Sequence, residues 1–167
     1  ADLCDFTQVT VALWRLQQIV HEYSPTFQRE GDGCQPLRRA LLVPAPGSQH
    51  TLGVVIVGEF FRRAGWDVGG DPRAGLGDIQ GVLSREWYDL VGVSVGRECK
   101  VDEVASAILG FRKASLNRAV VVMVGGPAMA LMTDLVTRVG ADGSAPDAPT
   151  AVIEADRLLA AVRAAPT

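Results

Sequence analysis

Histidine is nearly missing from this chain: His21 and His50 are the only two in 167 residues. Cysteine is scarce too. Cys4, Cys34 and Cys99 form an odd, scattered set with no Cys-x-x-Cys spacing. That excludes a disulfide framework and a cysteine zinc site, and it suits a reducing cytoplasm. Runs of lysine and arginine are absent and the formal net charge is −3, so direct nucleic-acid binding through phosphate neutralisation is not expected. No apolar run approaches the ~20 residues that span a bilayer, and no signal-peptide pattern is legible. What is present is core-forming material: 48% hydrophobic and 21% charged residues, which argues against disorder.

Residues 5–23 read as a helix, with Val9, Leu13, Leu16 and Val20 on one face. Ser24-Pro25 is its stop. Trp14 and His21, seven apart, share a face two turns apart. Either Trp14 packs in the core with His21 at the rim, or this helix covers a ligand face, with Trp14 as a lid and His21 as a second ligand. Residues 26–37 are polar and glycine-containing and read as a linker. Residues 1–37 thus form an N-terminal helix and linker, a partial cap, and the fold proper spans 38–167.

From Arg38 onward strand and helix patterns alternate. Strands are expected over 39–43, 66–68, 90–94, 119–124 and, weakly, 141–143. Helices are expected over 50–64, 76–85, 101–114, 128–139 and 148–163. Five alternating pairs predict an α/β fold: a doubly wound, five-stranded parallel sheet of flavodoxin-like (Rossmann-like) type, order 2-1-3-4-5. The switch point then gathers three loops at one edge: 44–52, 94–100 and 125–129.

Several chemistries are missing from those loops. Strand 1 is followed by Pro44-Ala45-Pro46-Gly47 and strand 3 by Ser94-Val95-Gly96, so no acids stand where the magnesium and phosphoacceptor of a receiver-type site would sit. Gly47 and Gly53 do not supply Gly-x-Gly-x-x-Gly. Ser48 and Thr51 are a thin phosphate loop. No oxyanion arrangement accompanies Ser48 or Ser94. The loops share small residues instead: Gly92, Ser94 and Gly96 around the end of strand 3, Gly125 and Gly126 after strand 4. Glycine lets a bulky ligand approach the backbone. Gly125-Gly126-Pro127 reads equally as a tight strand-to-helix turn. A neutral imidazole at the mouth of such a slot, His50, suits a large flat ligand with a metal centre.

The set His50-Thr51-Leu52-Gly53, then Ser94 after 40 residues (54–93), then Gly125-Gly126, 28 residues (97–124) beyond Gly96, resembles the cobalamin-binding domain family over roughly 38–165. That family carries Asp-x-His-x-x-Gly, then Ser-x-Leu, then Gly-Gly. The resemblance implies His50 as the lower axial cobalt ligand. It implies a slot for the displaced nucleotide tail lined by Ser94, Gly125 and Gly126, with Gly53 letting the helix start close to the cofactor. The flanking residues Ser48, Gln49, Thr51, Leu52, Val93, Val95 and Gly96 complete the expected cofactor site, with Trp14 and His21 on the cap. Two positions depart from the pattern: Ser48 stands where the family has an acid, and Gly96 where it has leucine. Loss of an acid behind a ligating histidine typically costs about 10- to 100-fold in metal affinity or activity, which fits a sensor better than a catalyst.

The text around the motif, Gly47 to Gly53 with Glu59 to Val68, and the early Asp2 to Phe6 with Leu13 to Gln17, is similar to the AerR/PpaA antirepressors of purple photosynthetic bacteria. A related domain, in the flavin photoreceptor AppA, has been described as sensing heme. The resemblance implies a non-enzymatic, cytoplasmic regulator that binds adenosyl- or hydroxocobalamin, or alternatively heme, and answers light or redox state by docking on a transcriptional repressor of PpsR/CrtJ type. A cofactor-free interaction module is the other reading that Ser48 and Gly96 leave open.

Overall fold

The computed structural model describes residues 38–48, 51–71 and 73–164. The first helix and linker, with Trp14 and His21, lie outside the described residues, as do Gln49 and His50. Five strands, β1 (Arg39–Pro44), β2 (Asp67–Gly69), β3 (Leu90–Ser94), β4 (Val121–Gly125) and β5 (Gly143–Ser144), form one sheet. Its order is β2-β1-β3-β4-β5 and every pair is parallel, as the alternating pattern predicts. The helices are α1 (Leu52–Arg63), α2 (Leu76–Leu83), α3 (Val101–Ala114), α4 (Leu135–Val139) and α5 (Ala148–Ala164). None of the described helices is long and apolar enough to cross a membrane.

The period of two along each strand splits the core into two layers. Ala40, Leu42, Leu90, Val121 and Met123 pack with Val54 and Phe61 of α1 and Ala155 and Leu159 of α5. Leu41, Val43, Val91, Val93, Val122 and Val124 face the other way, onto Ile79, Leu83, Val104, Phe111 and Leu135. Covering both faces explains why β1, β3 and β4 are almost continuously apolar. The register Pro44↔Ser94 and Ser94↔Gly125 aligns the carboxyl ends of the three central strands in one row.

Where boundaries differ from expectation, local hydrogen bonding decides. α1 begins at Leu52, with Thr51 at the cap position, rather than at His50. It ends at Arg63, and Gly65 beyond it, with φ +82°, returns its N–H to the Arg62 carbonyl at 3.0 Å. β2 starts one residue late because the Trp66 N–H is held by the Phe61 carbonyl. α2 stops at Leu83, where Ser84 Oγ bonds the Gly81 carbonyl at 2.9 Å. β4 begins at Val121 because Asn117 holds Ala119 and Val120 in a turn. The expected helix 128–139 is two pieces, a 3-10 turn at Pro127–Ala130 and the five-residue α4. Proline enters the turn at its start, and Asp134 occupies the N-cap position of α4. β5 is only two residues, shifted to 143–144, because Asp142 is spent on Val122: its N–H bonds the Val122 carbonyl and its carboxylate accepts the Val122 N–H.

Candidate functional site

The sheet's carboxyl edge is tied by backbone bonds. Ala45 N–H donates to the Ser94 carbonyl at 2.8 Å, Val95 N–H to the Gly125 carbonyl at 2.7 Å, and Ala128 N–H to the Val95 carbonyl at 3.2 Å. After β1 the chain turns sharply: Ser48 N–H reaches the Ala45 carbonyl at 3.0 Å, with Pro46 and Gly47 (φ +73°) at the central positions of a type II turn. The three loops expected to converge do converge.

Beside Ser94 an apolar slot of about 210 Å³ opens between α1, β3, β4 and the start of α5. Gly53, Ser94, Gly125 and Gly126 stand at its mouth; Leu42, Val54, Val57, Phe61, Leu90 and Met123 line its depth. Of these glycines, Gly126 is required by its backbone and its neighbours. Gly126 has φ +102°, and a Cβ on it would lie 2.8 Å from the Val95 carbonyl oxygen and 3.3 Å from Ser94 Oγ. A Cβ on Gly53 would lie 3.6 Å from the same Oγ. Ser94 Oγ therefore sits between two bare backbones, and it has no hydrogen-bond partner among the described residues. Asp147 closes the far lip and caps α5, accepting the Thr150 N–H at 2.8 Å. Hydrogen bonding to Thr150, by its side chain first and its N–H second, holds the Asp147 carboxyl below its ordinary pKa.

A second hollow lies along the same edge, larger (about 590 Å³) and polar, lined by Ser48, Gly96, Arg97, Glu98, Cys99, Lys100 and Glu103. A Cβ on Gly96 would lie 3.6 Å from Ser48 Oγ, so the two residues that depart from the family pattern face each other. Partial burial pushes the Cys99 thiol above its ordinary pKa, which keeps it protonated and unreactive near neutral pH. Lys100 is raised by its hydrogen bond to Glu103, at 2.8 Å. Among the described residues no three His, Cys, Asp or Glu side chains gather as a metal nest. His50 is not one of them.

The expected site residues thus divide. Gly53, Ser94, Gly125 and Gly126 come together at the slot, and Val93 adjoins it although it packs in the opposite core layer. Ser48 and Gly96 form the wall of the polar hollow. Val95 is fully buried in the opposite layer and serves through its backbone bonds. Thr51 and Leu52 are half-buried and line neither hollow. The depth of the slot and the contribution of α5 were missed. Positions 54, 57 and 61 do carry a signal, since they fall on one helical face above the loop motif.

Fold and slot together define an α/β domain with an apolar slot at its carboxyl edge. The B12 binding domain model matches residues 38–153, and the chain belongs to that family. A curated relative, an uncharacterized 20.5 kDa protein in the bchF-crtJ intergenic region of Rhodobacter capsulatus, is 30% identical over 142 residues, 85% of this chain and 73% of its own length. The monomethylamine corrinoid protein of Methanosarcina barkeri superposes with a TM-score of 0.72 at 15% identity, over 93% of this chain and 72% of its own. A cobalamin-binding protein from Desulfitobacterium hafniense gives 0.67 at 19%, over 84% and 70%. At those identities the two structures speak to the fold.

Proposed function

We propose that this chain binds cobalamin with its nucleotide tail in the apolar slot and His50 below the cobalt, and that it works as a light- or redox-responsive antirepressor. The carrying observation is the meeting of Gly53, Ser94, Gly125 and Gly126 around one apolar slot. A cavity of about 150 Å³ lined by Leu, Ile and Phe holds one benzene ring, so a slot of about 210 Å³ suits a bicyclic base. A heme has no tail to fill it, which favours the tailed tetrapyrrole over the heme alternative.

When bound, cobalamin supplies an exchangeable upper ligand and, if alkylated, a light-cleavable cobalt–carbon bond. The residues of the chain supply the rest. Gly53 and Gly126 admit the tail past the backbone, and Ser94 Oγ offers it one hydrogen bond. The apolar walls exclude water from the base. Ser48 leaves the imidazole of His50 without the charged partner the family provides, so ligand exchange is eased. The regulatory reading rests on the resemblance and on a relative from a region bounded by crtJ, which points to a repressor of PpsR/CrtJ type as the partner. The chain's net charge of −3 fits a protein partner better than DNA.

The test adds hydroxo- and adenosylcobalamin to the protein and reads the visible spectrum in the dark and after light. Wild type should retain cofactor and shift its spectrum; His50→Ala should lose the shift. Unchanged wild-type spectra with no retained cofactor would refute cobalamin binding. The regulatory part is read separately, as light- or cofactor-dependent release of a PpsR/CrtJ-type repressor from its operator.

A further inference from the structure

The slot runs deep along the sheet. Leu90, Gly92 and Ser94 all line it, so it follows β3 for four residues, about 13 Å at ~3.3 Å per residue. Along α1 it extends from Gly53 to Phe61, eight residues and about 12 Å. Its polar groups lie at the mouth: Ser94 Oγ, the Ala145 carbonyl near Gly125, and the Asp147 carboxylate, which already holds the Thr150 N–H. Its depth offers Leu42, Val57, Phe61, Leu90 and Met123, with no side-chain donor and only the weak thioether acceptor of Met123 among them. Leu42 can lie over β3 because Gly92 has no Cβ, which would otherwise meet Leu42 Cδ2 at 2.6 Å.

We infer that this depth selects corrinoids by the chemistry of their lower base. It accepts a methylated benzimidazole and disfavours a purine such as adenine. The inference rests on the proposal that the slot receives the nucleotide tail. A benzimidazole with two methyl groups presents hydrocarbon to Leu42, Phe61 and Met123. Adenine would bury an exocyclic amine and ring nitrogens that are well hydrogen-bonded in water and meet no comparable partner in the depth of the slot. A buried polar group left without a hydrogen bond weakens binding by about 10- to 100-fold.

The experiment titrates the full chain with three corrinoids: hydroxocobalamin, its analogue with adenine as lower base, and cobinamide, which has no nucleotide tail. Binding is read by visible spectroscopy and calorimetry. Met123→Gln, which places an amide in the depth, is titrated in parallel, with circular dichroism checking its fold. Comparing variant with wild type cancels the two bases' different hold on cobalt. The expected result is hydroxocobalamin tighter than the adenine analogue by about 10- to 100-fold, with the gap narrowed in Met123→Gln. Equal affinity of wild type for the two base forms would overturn the selectivity while leaving cobalamin binding intact. Cobinamide binding as tightly as hydroxocobalamin would show that the slot takes no tail. Binding of none of the three would overturn the underlying cobalamin reading instead.

Discussion

Two hollows share the carboxyl edge of one sheet and are built on opposite terms. The slot beside Ser94 is narrow and apolar, walled by α1 and α5. The hollow beside Ser48 is wide, polar and carries Arg97, Glu98, Lys100 and Glu103. Gly53, Ser94, Gly125 and Gly126, which match the cobalamin-binding pattern, stand at the first, and the two residues that depart from it face each other in the second. On the proposed reading, an apolar wall retains the ligand's tail while the surroundings of its metal are altered independently. The division of labour also explains why Ser48 and Gly96 leave the slot untouched: neither lines it.

The largest effect should come from the wall shared by slot and core. Phe61 is 1% exposed and meets Trp66 edge-on at 5.1 Å. Phe61→Ala is expected to destabilise the fold by about 3–5 kcal/mol, measured by urea unfolding. A loss below about 1 kcal/mol would mean that the wall is not part of the core. Next comes Gly126, whose φ of +102° and approach to the Val95 carbonyl leave no room for a Cβ. Gly126→Ala should cost about 1–3 kcal/mol and weaken corrinoid binding at the mouth; unfolding and spectral titration on one preparation check both.

The polar hollow should answer differently. If His50 holds cobalt, Ser48→Asp restores a charged acceptor behind it and should tighten hydroxocobalamin binding by about tenfold or more with little change in stability. An unchanged or weakened affinity would show that position 48 does not address the ligand. The smallest effect is expected at Asp147. Its carboxyl titrates below the ordinary value because the Thr150 side chain, and after it the Thr150 N–H, hydrogen-bonds the charged form. Its contribution is therefore complete above the ordinary carboxylate pKa and is lost as pH falls through the lower, folded value. Asp147→Asn keeps an uncharged cap and should flatten the acid limb of a melting-temperature profile below about pH 4, with neutral-pH stability nearly unchanged. An identical acid limb would remove Asp147 from the account of α5.

Much of this was legible before any coordinates. The short apolar runs at 41–43, 90–93 and 121–124 read as strands covered on both faces, and alternation with helices then points to the parallel order. The loop residues Gly53, Ser94, Gly125 and Gly126 were visible because each carries its role locally, as a missing Cβ or a small hydroxyl. The depth of the slot was not. Leu42, Phe61, Leu90 and Met123 read as ordinary core, and only the packing of α1 and α5 leaves a gap among them. The break before α4 was hidden as well, because 128–139 keeps a helical apolar spacing across Met132 to Asp134, where Asp134 caps a new helix. Trp14, His21, Gln49 and His50 lie outside the described residues, so their roles rest on sequence.

Gly53 offers the most direct test of the claim that the apolar slot holds a nucleotide tail. It is exposed at the mouth, near the start of α1, where its Cβ would make only an ordinary 3.6 Å contact with Ser94 Oγ. Gly53→Phe should therefore obstruct the entrance, while an N-terminal helical position loses a glycine. Hydroxocobalamin affinity should fall by more than about tenfold, a step of about 1.4 kcal/mol, while cobinamide affinity stays that of wild type. Equal affinity of wild type and Gly53→Phe for hydroxocobalamin would contradict the assignment of the slot.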